Sequence, residues 1–140
     1  MVIINPGNPT GQVLSAENIE QIIQLCYKHS VMIIADEVYS DNVYEKGAKF
    51  HSFRKILALQ KKEIANSVEL FSMNSISKGV TGECGLRGGY LEAVNIDPEV
   101  QELMLKCKSI ELCANTVGQI SMTLKVDPPK RGQESDETVE

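Results

Sequence analysis

Val31-Met32-Ile33-Ile34-Ala35 is a continuous apolar run closed on one side by His29-Ser30 and on the other by Asp36. It is too short for a helix of its own, and it lacks the alternation of a half-solvated strand. It therefore reads as a parallel strand covered on both faces. Upstream, Ser15 is placed to cap a helix whose first turn holds Glu17. Ile19, Ile22, Ile23 and Cys26 follow at helical spacing up to Lys28-His29, which predicts a helix from Ala16 to His29. Before it, Met1-Val2-Ile3-Ile4 is a short β-branched run that stops at Asn5-Pro6-Gly7-Asn8-Pro9-Thr10-Gly11, where two prolines forbid ladder donors. The first 35 residues thus read strand, helix, strand.

Downstream, a polar loop dotted with Tyr39 and Tyr44 leads to a helix expected over 52–60, then a loop of mixed charge. Residues 67–73 and 89–94 read as further strands, and the glycine-rich stretch from Gly79 to Gly88 between them is expected to hold no helix. Pro98 opens a helix expected to reach Leu112, and another runs from Thr116 to Val126. Alternating strands and helices predict an α/β fold, a mostly parallel sheet with flanking helices. The segment 127–140, with two prolines and few apolar residues, reads as a polar tail.

The 140 residues carry 14 basic and 19 acidic side chains, a net charge of −5, which argues against a nucleic-acid partner. Four cysteines and two histidines follow no ligand spacing, so no metal site is expected. No apolar run approaches the length of a membrane span, and a cytoplasmic protein is the expectation, with a mitochondrial one open.

Polar residues cluster just after the expected strands: Asn8 after the first, Asp36 and Tyr39 after the second, Ser75 to Lys78 after the third. In open α/β sheets ligands bind beyond the carboxyl ends of the strands, so these residues, with Arg87, would line one cleft for a charged planar ligand. A lysine there can form a Schiff base, and a pyridine cofactor needs an anion against its ring nitrogen.

The segments Asn5-Pro6-Gly7-Asn8-Pro9-Thr10-Gly11, Ala35-Asp36-Glu37-Val38-Tyr39 and Ser75-Ile76-Ser77-Lys78, with Arg87 downstream, resemble the signatures of the class I/II pyridoxal-phosphate-dependent aminotransferases. The stretches Asp41-Asn42-Val43-Tyr44 and Gly79 to Tyr90 are most similar to the alanine aminotransferase branch, although Val80 stands where an aromatic residue is usual. The resemblance implies the large domain of the aspartate-aminotransferase-like fold, partial over 1–126, with 127–140 starting the next segment. It implies pyridoxal 5′-phosphate as cofactor, with Lys78 as the Schiff-base and proton-transfer lysine. By the same resemblance Asp36 would pair with the pyridinium nitrogen, Asn8 and Tyr39 would bond the phenolic oxygen, and Ser75 and Arg87 would hold the phosphate. Amino acid and 2-oxo acid substrates and a homodimer are implied as well, the parent reaction passing an amino group between L-alanine and 2-oxoglutarate.

Plainer readings stand beside these. Asp36 and Ser75 could cap turns, Asn8 could serve an Asx turn, and Arg87 could be a surface ion-pair residue. Family members are longer and use a glycine-rich phosphate loop, a ring-stacking aromatic and a late arginine not found here. The chain is therefore expected to be an internal fragment that does not transaminate by itself. Competing functions are a related pyridoxal-phosphate lyase and a non-catalytic short form acting through dimerisation.

Overall fold

The computed structural model describes residues 1–130 and 132. Strand β1 (Val2–Ile4) is followed by helix α1 (Ala16–Lys28), β2 (Ile33–Asp36), the short helices α2 (Phe53–Ala58) and α3 (Lys62–Ala65), and β3 (Leu70–Ser75). A 3₁₀ turn (Cys84–Leu86) precedes β4 (Gly89–Val94), α4 (Pro98–Ser109) and α5 (Thr116–Val126). The sheet order is β1-β2-β3-β4, with β1, β2 and β3 parallel and β4 antiparallel to β3. The mostly parallel α/β expectation therefore holds. Its one antiparallel edge arises because the stretch from Ile76 to Gly88 contains no crossover helix, so the chain returns along β3 with Ser75 opposite Gly89.

Local chemistry sets the helix starts, those at Ser15 and Pro98 as expected. The Ser15 hydroxyl accepts from Asn18 N to cap α1, the Ser52 hydroxyl caps α2 through Lys55 N, and Asp97 caps α4 with Pro98 at its first position. Ile19, Ile23 and Cys26 of α1 pack against Ile33 and Ala35 of β2, Leu70 of β3, and Phe53, Ile56 and Leu57 of α2 to form the core.

Several expectations need correction. Burial alternates along β2, with Ile33 and Ala35 buried and Ile34 and Asp36 only partly so; the strand is not covered equally on both faces. Val31 is drawn into the end of α1, its N–H donating to Cys26 O, so the strand starts two residues later than the apolar run does. The expected loop before β3 holds α3, whose closing turn takes Ser67 N and Val68 N to Ile64 O and delays the strand to Leu70. The glycine-rich stretch does contain helical turn, the 3₁₀ segment at Cys84–Leu86. Helix α4 ends at Ser109, short of Leu112, which sits at φ 60°. The tail lies outside the described residues except for 127–130 and 132. Helix α4 buries none of its residues, and Leu105 is 70% exposed there. Among the described residues no helix is long and apolar enough to cross a membrane.

Candidate active site

Parallel pairing of β1, β2 and β3 brings their carboxyl ends to one rim. Ile4 lies opposite Asp36 and Asp36 opposite Met73, so the residues after Ile4, Asp36 and Ser75 leave the sheet side by side. The loop after β1 is tied down by Asn5, which is fully buried. Its side-chain carbonyl accepts Leu14 N at 3.0 Å, and its backbone N–H donates to Asp36 O at 3.0 Å. That anchorage presents Asn8 to the neighbouring loop, where its amide donates to the Tyr39 hydroxyl at 3.0 Å. The Lys78 ammonium stands over the Tyr39 ring, 6.0 Å from its centroid. Asn8, Tyr39 and Lys78, delivered by three different loops, are thus gathered in one place.

The other expected residues are distributed around this group. Asp36 ends β2, and one of its carboxylate oxygens accepts Val38 N at 3.3 Å in a turn. Ser75 ends β3, and its hydroxyl accepts Ser77 N at 3.2 Å. Arg87 holds a left-handed backbone conformation at φ 54°, and its guanidinium donates to Cys84 O at 3.0 Å. It lines a groove between the start of β4 and α5, with Tyr90, Asn115, Gly118 and Met122, separate from the cleft walled by Asn8, Tyr39, Asn42 and Tyr44.

Sequence reasoning passed over four residues that brace this rim. Glu37, 4% exposed, accepts Phe53 N at 2.7 Å and the Ser72 hydroxyl at 2.9 Å. Burial pushes its carboxyl above the ordinary range, the Phe53 and Ser72 hydrogen bonds oppose that shift, and Glu92 adds to it. The signal was alternation: residues 33, 35 and 37 share one face, so a side chain at 37 continues the buried row. Asn74 donates to Glu37 O at 3.1 Å and to the Ser40 hydroxyl at 3.2 Å, and Asn42 accepts Gly79 N at 3.1 Å. Lys125 of α5, its side chain 15% exposed, pairs with Asp41 at 3.2 Å and donates to Ser75 O at 3.1 Å.

The family model for aminotransferase class I and II matches residues 1–140, the whole chain. The chain belongs to this family. It is 49% identical over 138 residues to "Alanine aminotransferase 2-like" of Danio rerio, covering 99% of this chain and 25% of that protein. Over 129 residues it is 50% identical to "Alanine aminotransferase 1" of Homo sapiens, covering 92% of this chain and 26% of that protein. The chain thus spans about a quarter of the length of the curated relatives it matches. Among solved structures, the alanine aminotransferase from Pyrococcus furiosus superimposes with a TM-score of 0.72 at 27% identity, covering 91% of this chain and 30% of that one. An aminotransferase from Escherichia coli gives a TM-score of 0.75 at 27% identity, covering 93% of this chain and 30% of that one.

Class I and II aminotransferases depend on pyridoxal phosphate, and the donor set of this aminotransferase chain suits that group. The Lys78 amine makes no hydrogen bond or ion pair among the described residues, and Asp36 keeps a carboxylate oxygen with no partner there. A primary amine, a carboxylate, an amide–phenol pair and a hydroxyl after the carboxyl ends of the strands, with a guanidinium in a separate groove, are the types of group that an aldehyde, a pyridine nitrogen, a phenolic oxygen and a phosphate call for.

Proposed function

We propose that this chain is the lysine-bearing part of the cofactor-binding domain of an enzyme that moves an amino group between L-alanine and 2-oxoglutarate. The observation that carries this reading is the meeting of Asn8, Tyr39 and Lys78 at one rim, in a chain about half identical to alanine aminotransferases over nearly all its length. Bound pyridoxal phosphate supplies an electron sink for the charge left at the amino acid's α-carbon.

The chain's residues then have separate tasks. Lys78 would hold the cofactor through Nζ and would carry the proton at the substrate's α-carbon. Asp36 places an anion beside the ring nitrogen and keeps it protonated. The Asn8 amide and Tyr39 hydroxyl bond the phenolic oxygen and favour its anion, while Ser75 and Arg87 receive the phosphate. Residues 1–126 form part of the cofactor domain and 127–140 begin the next segment. The remaining cofactor and substrate groups come from sequence outside this chain, the assembly is a homodimer, and the enzyme works in the cytoplasm or, as the alternative, in the mitochondrion.

The test is to incubate the purified chain with pyridoxal phosphate, reduce with borohydride and map the labelled lysine by peptide mass spectrometry. Preferential label on Lys78, abolished in Lys78→Ala, is expected; label spread evenly over the surface lysines would overturn the assignment. A second reading, a non-catalytic short form that pairs with a full-length copy, draws on the uncovered apolar side chains of α4. Gel filtration with and without full-length alanine aminotransferase separates it, since only this reading expects a mixed complex.

A further inference from the structure

Between the loop that carries Tyr39 and the turn that carries Lys78 stands one residue bonded to both, by its backbone to the first and by its side chain to the second. The backbone N–H of Asn42 donates to Tyr39 O at 2.8 Å, and its side-chain carbonyl accepts the N–H of Gly79, the residue after Lys78, at 3.1 Å. Its amide N–H₂ is directed away from that bond, donating to the Tyr44 hydroxyl at 2.6 Å. All three polar functions of Asn42 named here are therefore engaged, and the orientation of the amide is fixed by a donor on one side and an acceptor on the other.

We propose that Asn42 is a positioning residue that sets where the Lys78 amine stands relative to the Tyr39 ring. The proposal rests on the reading of Lys78 as the cofactor lysine. Gly79 lies at φ 70°, a conformation that its lack of a Cβ permits, and the Lys78–Gly79 peptide is held on its carbonyl side by the Thr81 hydroxyl at 3.3 Å and by Gly82 N at 3.4 Å. The Asn42 carbonyl is the group that holds its N–H. The preceding residue packs there too: a Cβ at Gly79 would collide with the Asp41 carboxylate, which is itself held by Lys125. Residues 39 to 42 thus form a template against which the lysine turn is set. Lys78 hangs from the far side of the same peptide, with Nζ 6.0 Å from the Tyr39 ring centroid.

Two variants divide the possibilities. Asn42→Ala removes the acceptor for Gly79, whereas Asn42→Asp keeps an acceptor oxygen in the same place. Two readouts on the 140-residue chain need no cofactor: hydrogen exchange of the Gly79 amide, and the ring-current shift that Tyr39 imposes on the Lys78 ε-methylene protons. In Asn42→Ala, Gly79 exchange should accelerate on the order of tenfold, the Lys78 shift should collapse toward that of a solvated lysine, and core amides such as Ala35 and Leu70 should keep their protection. Asn42→Asp should restore both signals. A third readout, the rate of borohydride-trapped label on Lys78 with pyridoxal phosphate, should fall in Asn42→Ala and recover in Asn42→Asp. Unchanged Gly79 exchange in Asn42→Ala, an unprotected Gly79 amide in the wild type, or Lys78 signals indifferent to either substitution would each overturn the proposal. Absence of preferential Lys78 label in the wild type would instead overturn the cofactor reading, while the two cofactor-free signals still decide the role of Asn42.

Discussion

The side-chain amide of Asn8 donates to the Tyr39 hydroxyl at 3.0 Å, joining the loop after β1 to the loop after β2 across 31 positions of sequence. If both groups also serve the cofactor's phenolic oxygen, they act as one unit. Asn8→Ala and Tyr39→Phe are each expected to weaken pyridoxal phosphate binding by about 1 kcal/mol, roughly fivefold. The double variant should lose less than the sum of the two, because either single change already breaks the shared bond. Fluorescence titration of the four proteins gives the coupling directly. Strict additivity would mean that the pair does not act together.

Glu37 predicts a pH dependence of stability. Burial, the largest influence, raises its carboxyl above the ordinary value of 4.5, so the folded chain holds this proton to higher pH than the unfolded chain does. Its contribution is fully present below the unfolded value and is lost as pH rises through the folded one. Glu37→Gln removes this titration. The stability of the variant relative to the wild type, from urea unfolding at a series of pH values, should rise as pH climbs through the ordinary value of 4.5 and level off only above the raised folded-state value. A difference that is flat in pH would show that Glu37 titrates no differently in the two states.

Much of this architecture can be read from single residues. The strand Gly89–Val94 and the helix Thr116–Val126 fall where they were expected, and the structure adds Asn115 as the cap of the helix. Ser15, whose signal is local, capped the helix it was expected to cap, whereas Ser52, expected inside its helix, stands before it as the cap. What escaped depends on partners distant in sequence. Val31 looks like strand until Cys26 O takes its N–H. Glu37 looks like a rim charge until Phe53 N, sixteen residues on, and Ser72, thirty-five residues on, are folded against it. The site followed the same rule. Residue types at strand ends pointed to Asn8, Tyr39 and Lys78, whereas Asn42, Asn74 and Lys125 act through bonds that no spacing announces.

Gly118 lies where α5 meets the chain around Arg87. A Cβ there would come within 2.5 Å of Leu86 O and 3.1 Å of Gly88 N, both backbone atoms that cannot swing aside. An alanine would favour the helix by about 1 kcal/mol, but forcing α5 away from its seat is expected to cost more, so Gly118→Ala should destabilise the chain by about 1–3 kcal/mol. Gly85 has open space around its Cβ position and no positive φ. Gly85→Ala is therefore the control, expected to stay within about 0.5 kcal/mol of the wild type. Equal urea midpoints for the two variants would show that α5 does not seat on this turn.

Arg87 is held at φ 54°, a left-handed conformation that costs a non-glycine residue about 1 kcal/mol or more. Strain kept in place by its surroundings points to a function for the side chain that a glycine could not perform. Arg87→Gly separates the two effects. Relief of the backbone strain and the larger freedom of glycine in the unfolded chain are of similar size and opposite sign, so stability should hold within about 1 kcal/mol. Loss of a charge-assisted contact to phosphate should weaken pyridoxal phosphate binding by about 1.5–3 kcal/mol. The discriminating measurement is the same titration with pyridoxal, which lacks the phosphate. Its affinity should be unaffected by Arg87→Gly, and a parallel loss for both ligands would mean that the guanidinium supports the fold of the turn and does not receive the phosphate.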